Sequence, residues 1–159
     1  MAPSATIQAT DPRTGQAVYE ALVETTHVEL DRAVHEAHDA FSTWSKTPDR
    51  ERADVLNALA DALDAHVEEL VDIAEHETGL GEVRLTGEVA RTSFQLRMFA
   101  QLLDEGELLA AHVDEPIEGA PPVGRPRMVR SMVPLGPVAV FGASNFPFAF
   151  SVLGGDTAS

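Results

Sequence analysis

The sequence predicts an α/β fold in which helices come first and a strand–loop–helix unit follows. Three observations carry this. Apolar residues recur at helical spacing over three long stretches between Thr26 and Glu105. Val138 to Phe141 is a short β-branched and aromatic run, which suits a strand buried on both faces. "GASNFP" then reads as a loop and "FAFSVLGGDTAS" as the start of a helix. The last unit is the opening of an α/β layer, with no second parallel strand after it.

Taken in order, residues 1–25 read as strand-rich. "DPRTGQ" is a turn signal through Pro12 and Gly15, and "AVYEALVE" can pair as a short hairpin. Thr26 and Glu29 form the T-x-x-E of a capping box. Leu30, Ala33, Val34, Ala37, Ala40, Phe41 and Trp44 then mark one face of a helix, expected to pack into the core. A second helix is expected from Thr47 as N-cap and Pro48 as first helical residue. Its stripe runs from Leu56 to Ala74 and stops at Gly79, free to take the left-handed closing conformation. A third runs from about Glu82 to Glu105, with Leu85, Val89, Leu96, Phe99, Leu102 and Leu103 on one face and Gly106 at its end. Residues 113–126 hold four prolines and two glycines and read as a loop or arm. "RMVRSMV" after them reads as one strand of a hairpin standing off the body.

Composition narrows the function. The 159 residues carry a formal charge of −15, from 26 acidic and 11 basic side chains. Nucleic acid and anionic membrane surfaces are disfavoured as partners, because both would be repelled. Lys46 is the one lysine; the other basic residues are arginine. An acid excess with so little lysine also fits a high-salt cytoplasm. There is no cysteine, so the chain itself supplies neither a disulfide nor a thiolate. The N-terminus lacks a basic start followed by an apolar core, which leaves the cytoplasm as the default location. Ser131 to Gly155 is uncharged and long enough for a bilayer, but Pro134, Pro137, Pro147 and several glycines break any lipid-exposed helix.

Few residues carry candidate chemistry. His35 and His38 are three apart on one helix, but a zinc site needs three or four ligands. Ser144 stands in "GASNF", where Phe146 occupies the place that a nucleophile elbow gives to glycine. Asn145 lies between an apolar strand and a helix start, where ligand sites of α/β sheets gather. Its carboxamide can donate to a developing oxyanion. It can equally cap the turn or the helix.

"VPLGPVAVFGASNFPFAFSVLGGDTAS" closely resembles the aldehyde dehydrogenase superfamily, whose signature is the P-x-G-P-V strand followed by N-F-P. "DPRTGQ", "ERADVLNALADAL", "EHETGL" and "GEVARTSFQLRMFAQLLDEG" fall in the family's order, so the likeness covers essentially the whole chain. The version here looks like the branch that oxidises 2,5-dioxovalerate (α-ketoglutarate semialdehyde), typically with NADP. The resemblance implies N-terminal helices plus the start of a Rossmann-like cofactor domain over residues 1–159, truncated, with a β-arm at 113–133 that helps subunits associate into a homo-oligomer. It implies that Asn145 helps form the oxyanion hole and that Phe141, Gly142, Ala143 and Ser144 line NADP or NAD. It also implies covalent catalysis on an aldehyde by a cysteine thiolate, with a Glu activating water. Neither the Cys nor that Glu falls within these residues. The chain alone is therefore expected to be inactive and poorly stable. A second function class stays open: a non-catalytic interaction or regulatory fragment that associates with a full-length relative.

Overall fold

The computed structural model describes residues 5–106 and 110–151. The part of the expected helix after Ser151 lies outside the described residues. The chain opens with a two-stranded antiparallel ribbon, β1 (Thr6–Ile7) against β2 (Leu22–Val23), continued by a bridge between Thr10 and Ala17. The turn read from "DPRTGQ" is present: the Asp11 carbonyl accepts from the backbone N–H groups of Thr14 and Gly15, and Gly15 takes φ 72°. This turn docks on the connection ahead of residue 82. Arg13 Nη1 donates to Glu75 Oε1 at 2.8 Å, while Glu75 Oε2 accepts from the Gly81 N–H at 2.6 Å. Gly79, at φ 63°, lies close beneath it; a Cβ there would meet Pro12 Cγ at 3.3 Å.

Helix α1 (His27–Trp44) begins with the capping box expected from Thr26 and Glu29. The Thr26 hydroxyl accepts from the Glu29 N–H at 3.2 Å, and Glu29 Oε2 accepts from the Thr26 N–H at 2.9 Å. The expected burial of its apolar face does not occur. None of its residues is buried, and Val28, Leu30 and Val34 are all more than half exposed. The period describes a face fit for burial; no described element covers it.

The stripe from Leu56 to Ala74 forms two helices, not one: α2 (Asp49–Ala65) and α3 (Val67–Thr78). They part at His66, with φ −113° and ψ 15°. The His66 N–H turns back to the Leu63 carbonyl, three residues away, and its ring Nδ1 lies 2.8 Å from the Ala62 carbonyl. The start is also displaced by one residue. Pro48 occupies the N-cap position with no side-chain cap, and Thr47 precedes it. The end agrees with expectation, since Gly79 closes α3 in the left-handed conformation.

Helix α4 (Glu82–Glu105) has 24 residues and ends at Gly106, φ 72°, as expected. At 1.5 Å per residue it is about 36 Å long, enough to hold two packing clusters in series. Leu96, Ala100 and Leu103 pack with Ala53, Leu56 and Ala60 of α2. Leu85 and Val89 pack with Val71 and Ala74 of α3. Leu63 touches both clusters, at the place where α2 gives way to α3. The break at His66 lets each helix meet its own half of α4. Arg97 reinforces the first contact through Asp61 (2.6 Å) and Asp64 (2.9 Å) of α2. Thr92 and Ser93 are buried on the same strip, but their hydroxyls donate to the carbonyls of Glu88 and Val89.

The expected arm is a hairpin, β3 (His112–Asp114) against β4 (Met128–Arg130), extended by a bridge between Ile117 and Arg125. Its tip closes tightly, because a Cβ on Gly124 would collide with the Gly119 carbonyl oxygen. The expected buried strand at Val138–Phe141 is not formed. The segment joins no ladder, and Phe141 is 90% exposed. A strand needs a neighbour for its backbone groups, and no described residue supplies one. The helix expected after the loop does begin, at Ala149.

Two outcomes test this packing. Leu96→Ala, at a site 1% exposed, should cost about 2–5 kcal/mol in denaturant unfolding. Leu30→Ala, on the open face of α1, should change it by less than about 0.5 kcal/mol. Equal losses would mean that α1 is packed.

The α1 cap should also respond to pH. Hydrogen bonds from the Thr26 backbone N–H and then its hydroxyl hold the Glu29 carboxyl below the usual glutamate range. The stability this contributes is complete above the ordinary glutamate value and is lost as pH falls through the depressed one. Amide exchange in the first turn of α1 should accelerate over that acidic window; Thr26→Ala, which keeps the backbone N–H and removes the hydroxyl, should weaken the dependence, and Glu29→Gln should abolish it.

Candidate active-site loop

The residues expected at the site fall on one short stretch with two sides. Phe141, Gly142, Ser144 and Asn145 are exposed and Ala143 is half-buried. Phe148 then packs against the Val71–Leu85 cluster, and Ala149 is fully buried. Between them the Phe146 N–H donates to the Ala143 carbonyl at 3.0 Å, closing a turn with Ser144 and Asn145 at its tip. Phe146 and Phe150 stack with ring centroids 4.9 Å apart. The aromatic residues around Asn145 thus have a structural use: they hold the rear of the turn. The Phe150 N–H donates to the Phe146 carbonyl, which starts the following helical turn.

Gly142 meets a spatial constraint. A Cβ at that position would stand 2.5 Å from Ser151 Oγ, so the strand-side chain runs flush against the new helix. That leaves Phe141 to Ser144 as an open, unladdered backbone run.

Asn145 was open to two readings. Among the described residues its carboxamide has no hydrogen-bond partner, and the helix start is capped by another group. That group is Glu88, from the second turn of α4. It is 5% exposed, and its Oε1 accepts from the N–H groups of Phe148 (2.8 Å) and Ala149 (2.9 Å). A carboxylate at this place meets free N–H groups at the start of a helical turn, where negative charge is stabilised. Its Oε2 is buried without a partner among the described residues. One turn earlier, Arg84 Nη2 donates to the backbone carbonyl of Asn145 at 2.5 Å, and the guanidinium lies 4.9 Å from the centre of the Phe146 ring.

Sequence reasoning missed Arg84 and Glu88. Arg84 gives no local sign. Glu88 does: it is a lone carboxylate among Leu85, Val89, Thr92 and Ser93, on the strip that faces α3. A charge on a buried helical strip calls for a partner.

The other candidates stay apart from this loop. His35 Nδ1 lies 2.7 Å from the Asp31 carbonyl on its own helix. Among the described residues no group of three or more His, Cys, Asp or Glu is placed to hold a metal ion. Two open hollows, of about 440 and 560 Å³, lie at the α2–α3 junction and along the first half of α1, away from residues 141–145. No helix among the described residues is long and apolar enough to cross a membrane.

Comparison with known proteins gives a consistent result. The aldehyde dehydrogenase family model matches residues 1–154. An alpha-ketoglutaric semialdehyde dehydrogenase 2 of Azospirillum brasilense is 43% identical over 155 residues, which is 97% of this chain and 30% of that protein. The alpha-ketoglutaric semialdehyde dehydrogenase of Acinetobacter baylyi is 43% identical over 129 residues, 81% of this chain and 24% of its own length. The crystal structure of an NADP-dependent glyceraldehyde-3-phosphate dehydrogenase from Bacillus halodurans, complexed with NADP, superposes with a TM-score of 0.76 at 25% identity, over 95% of this chain and 30% of that one. The chain thus spans under a third of the length of these relatives. By family model, sequence identity and fold together, this chain belongs to the aldehyde dehydrogenase family.

Proposed function

We propose that these residues serve the oxidation of an aldehyde to its carboxylic acid with NADP or NAD, the substrate being a small acidic semialdehyde such as 2,5-dioxovalerate. The observation that carries the reading is the carboxamide of Asn145. It is exposed, with no hydrogen-bond partner among the described residues, at the tip of a turn whose rear is buried. In this reading its Nδ2–H donates to the aldehyde oxygen as negative charge develops there. The names of the two 43%-identical relatives support the substrate class.

Phe141, Gly142, Ala143 and Ser144 form the run assigned to the nicotinamide cofactor. The fit rests on their geometry: Phe141, Gly142 and Ser144 are exposed outside any ladder, and at Gly142 no side chain stands between the run and the helical turn behind it. The cofactor, when bound, accepts the hydride. The chain's own residues border it and orient the carbonyl. Which of NADP and NAD is used is chosen elsewhere, since no described side chain of this run carries a charge. The nucleophilic thiol must come from outside these 159 residues, because they contain no cysteine. The acidic group that activates water is likewise assigned outside them, so this chain by itself is inactive in this reading. The arm at 113–133 offers Val113, Val123, Val129, Met132 and Val133 to solvent, which fits association between copies.

The test is aldehyde-dependent NAD(P)H formation. A longer protein carrying this chain should oxidise 2,5-dioxovalerate, and residues 1–159 alone should not. Asn145→Ala in the active protein should lower kcat by about 10²–10³, the effect of removing one oxyanion donor. An unchanged kcat would remove Asn145 from the chemistry.

A further inference from the structure

We infer that Arg84 and Glu88 of α4 are positioning residues that set where the Asn145 carboxamide points. The inference rests on the role proposed for Asn145, but its geometry stands independently. The two side chains are four residues apart, one turn of the same helix face. They grip the loop at the turn tip and just after it. Arg84 holds the carbonyl of Asn145 itself and lies against the Phe146 ring, immediately after it. Glu88 holds the N–H groups of Phe148 and Ala149. Between these anchors lie only Phe146 and Pro147, and the proline ring fixes one of the remaining backbone torsions.

The chemistry of each grip suits a positioning task. A guanidinium is planar and always charged, so a carbonyl bonded to it is held in direction as well as distance. A carboxylate spanning two successive N–H groups fixes the backbone where the helical turn begins. Core packing alone would ask for less. An apolar residue at 88 could continue the strip with Leu85 and Val89, without burying a carboxylate whose Oε2 has no partner among the described residues. The charge is retained where it meets the loop.

Amide exchange and side-chain resonances of this chain, followed by NMR, test the inference. In Glu88→Ala the amides of Phe148 and Ala149 should exchange at least tenfold faster, with those of Ala100 and Leu103 unchanged. In Glu88→Gln the retained Oε1 acceptor should restore protection to within about threefold of the parent. Arg84→Met, an exposed change that should not disturb folding, should shift the Nδ2 resonances of Asn145 and broaden Phe146, with α2 unaffected. Parent-like exchange at Phe148 and Ala149 in Glu88→Ala, or an unmoved Asn145 carboxamide in Arg84→Met, overturns the inference. Faster exchange spread evenly through α3 and α4 also overturns it, because that marks a core role only. None of these readouts depends on turnover. A clamp that behaves as expected beside an Asn145→Ala enzyme with full kcat would refute the catalytic reading and leave the clamp standing.

Discussion

The structure depends on one strip of α4 that is buried along most of its length. Leu96, Ala100 and Leu103 meet α2; Leu85 and Val89 meet α3. Glu88 lies within the half that meets α3, between Leu85 and Val89, and reaches the chain 60 residues ahead. Taking a carboxylate out of water costs several kcal/mol unless its oxygens find strong partners. The two N–H groups at the start of the next helix are such partners, and they have no intrahelical acceptor of their own. Each group therefore satisfies the other. This contact attaches the loop at 143–149 to the helical body even though the segment before it, 134–142, joins no sheet.

The same contact explains why the loop has two unlike sides. The apolar rear, Phe148 and Ala149, is drawn into the α3–α4 cluster. The turn tip, Ser144 and Asn145, is left at the surface by the Ala143–Phe146 closure. Burial of the one is what keeps the other in place. Near the C-terminal end of α3 the Asp11–Arg13 turn sits on Glu75, and that residue also ties down Gly81 just before α4 begins. The register of α4 is thus held from the N-terminal ribbon as well as from α2 and α3.

Helix existence, the capping box at Thr26–Glu29 and the glycine stops at 79 and 106 were legible in the sequence, because each is decided within a few residues. The arm was legible for the same reason. What escaped was decided at a distance. The apolar stripe keeps its period through Leu63, Val67 and Val71, so the break at His66 leaves no mark on it. The stripe of α1 is as regular as that of α2, yet only α2 has a described partner. Val138–Phe141 has strand composition, but a strand is a property of a pair, and its pairing is not among the described residues. In the site, the turn and its exposed amide followed from local residues. The groups that hold it, Arg84 and Glu88, lie 61 and 60 residues from the backbone they bind, beyond any local pattern.

That distance bears on how such a site works. An oxyanion donor is effective when it is already aimed before charge develops, so that no reorganisation accompanies the reaction. A surface loop lacks that fixity unless something rigid holds it. Here the rigid body is the packed part of α4, and the residues that aim the loop project from the same turns that bury Leu85 and Val89. Stability and aim are then set by one helix. A substitution that loosens the α3–α4 contact would move the loop before it unfolded the chain, since the loop has no other described anchor of comparable burial. The acidic surface and the open face of α1 bear on association and solubility; the chemistry assigned to this chain depends on how tightly α4 holds its neighbour.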